Sequence, residues 1–219
     1  MDIGPGPLFD AVDLTGVLAN AILGGAVARE LKLDPVGFVV LGIVSGLGGG
    51  LLRDTLLQVG FPVAFTNSAY LVFAIAGAAI AFALPLKGRF ARRGLLFADS
   101  LALGCWAATG AAKALGAGLG WLPAILLGVL TAVGGGMIRD IVIGRLPVIF
   151  GGNTLYATGA LVGSVEMTAL VSLGHSTWGM AVSIVSTSAI SILARWRGWV
   201  LPAPDDLRRP NRRSGREDR

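Results

Sequence analysis

The sequence predicts an all-α integral membrane protein of seven transmembrane helices, arranged as an inverted 3+3 repeat with one further C-terminal helix. Three observations predict it. Hydrophobic residues make up 54% of the 219 residues and charged residues only 14%, far less charge than a soluble domain of this length carries. Apolar runs of the roughly 20 residues needed to cross a bilayer recur along the whole chain. A seven-residue motif, GGGLLRD at Gly48–Asp54, returns as GGGMIRD at Gly134–Asp140.

Taken in order, residues 1–7 form an N-terminal extracytoplasmic segment. The opening MDIGPGPLFDAVD is acidic and has no basic n-region, so it does not read as a cleaved signal peptide. Spans follow at 8–28, 36–58 and 67–85, and together 8–85 is the first three-helix repeat. The stretch 86–94 is a basic linker. Spans at 95–114, 121–144 and 153–173 make the second, inverted repeat, 95–173. The seventh helix occupies 174–195, with its apolar run at 177–195, and 196–219 is a disordered basic tail.

The charges set the orientation. With seven spans, the connections after spans 1, 3 and 5 share a side with the C-terminus. That side carries Arg29, Lys32, Lys87, Arg89, Arg92, Arg93, Arg145 and the arginine-rich tail; the other has little beyond Lys113. The positive-inside rule then puts the C-terminus in the cytoplasm and the N-terminus outside, in a prokaryotic plasma (inner) membrane. The tail arginines read as a juxtamembrane patch for anionic lipid, not as a nucleic-acid site. Cys105 is the only cysteine and reads as a packing residue; His175 is the only histidine and falls in a short connection. With no catalytic triad, zinc motif, P-loop or metal-ligand cluster, an enzyme is not expected, nor is a cofactor or a metal.

The repeat extends beyond the motif. A shift of 86 residues also aligns Asp13 with Asp99, Gly24 with Gly110, Gly42 with Gly128, Asn67 with Asn153 and Tyr70 with Tyr156. A three-span unit ends on the opposite side from its start, so a second copy enters upside down. Such inverted repeats place the functional path at the pseudo-two-fold interface near mid-membrane. Spans 2 and 5, which hold the glycine triplets, are its expected walls.

On a helix, Ser45, Gly49 and Arg53 share one stripe, and Thr131, Gly135 and Arg139 share the equivalent one. An arginine facing lipid at mid-depth costs at least about 3 kcal/mol, so both stripes should face protein or water. The triplets Gly48, Gly49, Gly50 and Gly134, Gly135, Gly136 have two compatible readings. Small residues let helices pack closely. Consecutive glycines also weaken a helix and can turn backbone carbonyls toward a polar path. Arg53 and Asp54, like Arg139 and Asp140, point about 100° apart on a helix, so the two need not pair. Either one member of each pair lines the path while the other anchors the helix, or all four form a structural salt-bridge network. Arg53 and Asp54 fall toward the outer side, Arg139 and Asp140 toward the cytoplasm. Lys113 reads as an outer-vestibule or snorkelling cation. Asp13 and Asp99 read as carboxylates at the N-termini of spans 1 and 4.

The duplicated GGGxxRD motif, the 3+3+1 plan, the KAL of Lys113–Leu115 and the LYA of Leu155–Ala157 resemble the trimeric intracellular cation (TRIC) channels. The likeness is to their prokaryotic branch, also catalogued as a glycine-transporter-domain family, and covers about residues 8–195. The resemblance implies a homotrimer in membrane lipid, with an hourglass pore in each protomer for monovalent cations, K+ and Na+. It also implies kinks at Gly48–Gly50 and Gly134–Gly136. Lys113 matches the lysine opening the KEV motif of animal members, but Ala114 and Leu115 follow it here, a departure from the motif that goes with their lipid-headgroup site. Three functions compete. They are a passive potassium-permeable channel, a secondary transporter of a small zwitterion such as glycine, and a structural membrane protein without transport.

Overall fold

A computed structural model describes residues 7–84, 88–150 and 155–201. Most of the 86–94 linker lies in the first turns of a helix, and most of the basic tail lies outside the described residues. Among the described residues, eight α-helices run α1 (Pro7–Glu30), α2 (Pro35–Leu57), α3 (Val63–Thr66), α4 (Ser68–Ala83), α5 (Arg89–Gly116), α6 (Trp121–Val142), α7 (Tyr156–Ser172) and α8 (Ser176–Arg197). A 3-10 turn, Val148–Phe150, lies between α6 and α7. Five of these, α1, α2, α5, α6 and α8, are long and apolar enough to cross a membrane. α4 and α7 have 16 and 17 residues.

Local chemistry sets the ends. Asp34 accepts the Gly37 N–H at 2.8 Å and Pro35 occupies the first turn, which together start α2. Asn67 caps α4 by accepting the Ala69 N–H at 3.0 Å. Gly198, at φ 66°, closes α8 in the left-handed region that glycine adopts freely. α5 starts at Arg89, earlier than the apolar run at 95. Arginine and alanine are good helix formers, so the helix continues past the end of the hydrophobic stretch.

The packing reproduces the repeat. α1, α2 and α4 pack on one another, as do α5, α6 and α7, and the two triples meet through the equivalent pairs α1–α5 and α2–α6. Short connections make successive helices antiparallel. α8 lies against α5 and α7, joined by hydroxyls: Ser188 donates to the Ser100 carbonyl at 3.0 Å and Thr187 to the Gly159 carbonyl at 3.1 Å.

Size sorts the residues. The interior of α5 is built of small groups, with Ala102, Ala107, Ala108, Ala111 and Ala114 fully buried. Large apolar side chains such as Phe65, Phe90, Trp178 and Val185 point outward. A soluble core has the reverse pattern; a bundle solvated by lipid has no reason to hide leucine and gains from close backbone approach.

The closest approach is where α2 crosses α6. Both helices are continuous through their glycine triplets. A Cβ on Gly49 would overlap the Thr131 carbonyl oxygen, and one on Gly135 would overlap that of Ser45. Gly134 would bring its Cβ to 3.0 Å from the Gly49 Cα, and Gly48 to 3.2 Å from the Gly135 Cα. The first two glycines of each triplet are the bare surfaces that let the two halves touch. The third faces elsewhere: a Cβ on Gly50 or Gly136 would meet only the guanidinium of its own helix's arginine, at 3.8 Å.

Candidate functional site

Polar groups concentrate above and below this crossing, in two clusters related by the repeat. In the first, Arg53 Nε donates to Asp54 Oδ1 at 2.7 Å, and Asp54 Oδ2 accepts the Val63 N–H at 3.0 Å. In the second, Arg139 Nε and Nη2 donate to Asp140 Oδ1 at 3.0 and 2.8 Å, and Asp140 Oδ2 accepts the Val148 N–H at 3.1 Å. The sequence-adjacent pairs bond, a point the helix angle left open. The arginine chain is long enough to bend back over 100° of helix surface, and an unpaired guanidinium in this setting is costly.

Each aspartate thus does two things with its two oxygens. One neutralises the arginine; the other holds the first residue after Pro62 or Pro147 in the re-entering segment. Those segments read PVAF and PVIF and carry α3 and the 3-10 turn. Proline has no N–H and presets its φ, so the next amide is the first free donor for the carboxylate.

Lys113 joins the first cluster. Its Nζ lies 3.5 Å from Asp54 Oδ1 and its side chain is 39% exposed. Both residues line a cavity of about 340 Å³ that Thr109 and Met180 also border. Across the crossing, Arg139 Nη1 approaches Ser45 Oγ at 3.4 Å. The equivalent Arg53–Thr131 contact does not form: Thr131 donates to the Leu127 carbonyl of its own helix at 2.6 Å.

Behind the arginines lie Asp13 and Asp99, which are not N-terminal carboxylates as their position in the apolar runs implied. α1 begins at Pro7 and α5 at Arg89, so both sit inside their helices and both are buried. Asp13 accepts Trp106 Nε1–H at 2.6 Å and Tyr70 O–H at 2.5 Å. Asp99 accepts Tyr156 O–H at 3.0 Å and Arg195 Nη2–H at 2.7 Å. The sequence alone assigns no site role to Tyr70, Tyr156, Trp106 or Arg195. The signal for the tyrosines was present: the 86-residue shift aligned Asp13 with Asp99 and Tyr70 with Tyr156, and each tyrosine meets the aspartate of its own repeat.

Two further cavities flank the crossing. One, of about 20 Å³, is bordered by Asp13, Gly50, Arg53, Tyr70 and Trp106. The other, of about 470 Å³, is bordered by Asn20, Asp99, Gly136, Arg139, Tyr156 and Arg195. Among the described residues, no cluster of His, Cys, Asp or Glu has the makings of a metal site. Chemically, the arrangement offers two polar chambers separated by a tight glycine contact, with every arginine at the crossing neutralised by a carboxylate on the same helix.

This geometry has relatives. The family described as "Glycine transporter" matches residues 10–85 and 96–172, one block for each repeat. A UPF0126 membrane protein of Deinococcus radiodurans is 40% identical over 155 residues, 70% of this chain and 72% of that one. The UPF0126 inner membrane protein YadS of Escherichia coli K12 is 34% identical over 70% of this chain and 74% of its own. Bacillus subtilis YvgT is 31% identical over 89% and 95%. Among solved structures, one described under conductance through TRIC cation channels superposes with a TM-score of 0.83 at 32% identity, covering 89% of this chain and 96% of that one. The TRIC orthologue from Rhodobacter sphaeroides gives 0.80 at 30% identity, covering 89% and 100%. The duplicated motif, the inverted triples and these matches agree: the chain belongs to the glycine-transporter family of membrane proteins, the prokaryotic branch of the TRIC channels.

Proposed function

We propose that this protein is a homotrimeric channel of the prokaryotic plasma membrane that passes potassium and other monovalent cations, one pore per protomer. The path runs between α2 and α6, past Ser45, Thr131 and the triplets Gly48–Gly50 and Gly134–Gly136, which bend the helices at their crossing. Arg53, Asp54, Arg139, Asp140 and Lys113 set its two mouths, the first pair and Lys113 outside and the second pair on the cytoplasmic side. The N-terminus is outside and the C-terminus cytoplasmic, following the arginine and lysine bias.

The observation that carries this reading is the pair of polar cavities on opposite faces of the glycine crossing, in a fold shared with structures described as cation channels. The basic residues are the difficulty for cation passage. Pairing within each Arg-Asp couple supports an answer, since a neutralised arginine presents little net barrier. A second reading, a secondary transporter of a small zwitterion such as glycine, is favoured by the inequality of the two cavities. One holds about 470 Å³ and the other about 20 Å³, and alternating access calls for such an asymmetry between the two sides.

Vesicle flux separates the two. Proteoliposomes loaded with potassium should lose it down its gradient at a rate that does not saturate with concentration and is indifferent to glycine. Saturable uptake of labelled glycine, with no potassium leak, would replace the channel by the transporter.

A further inference from the structure

The two cavities beside the glycine crossing are images of each other, yet one holds about 20 Å³ and the other about 470 Å³. The 86-residue shift maps Asp13 to Asp99, Gly50 to Gly136, Arg53 to Arg139 and Tyr70 to Tyr156. Among the paired positions that border both cavities, Leu47, Leu51 and Val63 exchange with Val133, Met137 and Ile149, and one further exchange changes both size and polarity. Asn20 borders the large cavity; its equivalent, Trp106, borders the small one.

The substitution has both a steric and a bonding consequence. An indole fills space that an amide leaves empty. Its Nε1–H also donates to Asp13 Oδ1 at 2.6 Å, while Tyr70 donates to Oδ2. Asp13 of α1 is thus tied to α5 and α4 at once, across the face where Gly50 lies. Arg53, the cation bordering the same cavity, has its Nε committed to Asp54. The other side has no such tie. The Asn20 amide donates to Gly16 of its own helix at 3.3 Å, and Asp99 bonds to α7 and α8 through Tyr156 and Arg195. Nothing among the described residues hydrogen-bonds Asn20 of α1 to Asp99 of α5.

We infer that Trp106 is the gate of the Asp13-side cavity and that Asp13 and Tyr70 are its latch. In this structure the chamber beside Asp13 is filled and the one beside Arg195 holds about 470 Å³, while a separate cavity of about 340 Å³ lies at Asp54 and Lys113. Releasing Asp13 from Trp106 and Tyr70 opens the second chamber. The inference concerns which end of the passage is closed, so it stands whether the passage conducts cations or carries a solute.

Water access to the third glycine of each triplet reads the gate without any transport assay. Neither position is crowded, so Gly50→Cys and Gly136→Cys fit sterically. Both are made in a Cys105→Ser background, which removes the native buried thiol. The purified protein in detergent is treated with a charged methanethiosulfonate, so that sidedness plays no part. Gly136→Cys should react rapidly and Gly50→Cys at least about tenfold more slowly, the population bias expected from one hydrogen bond to a charged group. Adding Trp106→Asn, the residue of the open side, should bring Gly50→Cys toward the Gly136→Cys rate. Trp106→Phe, which keeps an aromatic ring and loses the N–H donor, should give an intermediate rate, and it decides the matter if the asparagine variant does not elute as folded protein. Equal reactivity of the two cysteines with Trp106 present, or a Gly50→Cys rate unmoved by both substitutions, overturns the inference.

Discussion

Gly49 and Thr131 meet backbone to backbone: the Thr131 carbonyl oxygen occupies the place where a Cβ on Gly49 would stand, and Ser45 does the same to Gly135. This reciprocal contact is where the two three-helix units touch most closely. Alanine at Gly49 or Gly135 must push α2 and α6 apart, and overpacking of this kind costs about 1–3 kcal/mol or more. Alanine at Gly50 or Gly136 meets no backbone, and should raise or leave unchanged the melting temperature, since alanine is the better helix former. Thermal unfolding of the four purified variants checks this. Equal destabilisation at all four positions would mean that the triplets act through flexibility alone.

Asp54 and Asp140 each hold an arginine and a loop amide, and both are buried. Asp54→Asn leaves a charged Arg53 without its counter-ion, a loss of about 3–5 kcal/mol. The double variant Arg53→Met with Asp54→Asn should recover a substantial part of that, because no unpaired charge remains. Chemical or thermal unfolding of the single and double variants gives the coupling directly. No recovery in the double variant would place the aspartate's main role in anchoring Val63.

The two tyrosine–aspartate contacts are equivalent by sequence but not in strength of support. Asp99 keeps Arg195 when Tyr156 is shortened to phenylalanine; Asp13 keeps only the Trp106 N–H when Tyr70 is shortened. A hydrogen bond to a charged group is worth about 1.5–3 kcal/mol, so Tyr70→Phe should be the more damaging of the two. Paired melting curves test the order.

Lys113 is different in kind. It is part-exposed and 3.5 Å from Asp54, so Lys113→Gln should cost less than about 1 kcal/mol of stability. On the proposed channel reading, its effect belongs to transport. Removing a cation from a vestibule raises local cation concentration, and screening weakens that effect as salt rises. Potassium conductance of Lys113→Gln should therefore exceed that of the parent at low ionic strength and approach it at high.

Much of this was legible in the chain. The 36–58 apolar run is α2 at Pro35–Leu57, and 121–144 is α6 at Trp121–Val142, because bilayer-length hydrophobicity has few alternative explanations. The repeat offset located both copies of the arginine–aspartate and tyrosine–aspartate contacts. Two things were not legible. Helical angle alone separates Arg53 from Asp54, but a flexible side chain in a water-poor setting bends to its counter-ion. The apolar onset at 95 hid that α5 starts at Arg89, so Asp99 was read at a helix end when it lies about three turns inside. Trp106 gave no signal because the 86-residue shift sets it against Asn20, and nothing the two share marks the pair.

Planar bilayers distinguish passive cation conduction from carriage of a solute. With the purified protein under a potassium gradient, the account predicts unitary current steps that reverse near the potassium equilibrium potential. A membrane that stays silent while the same preparation accumulates labelled glycine would contradict it.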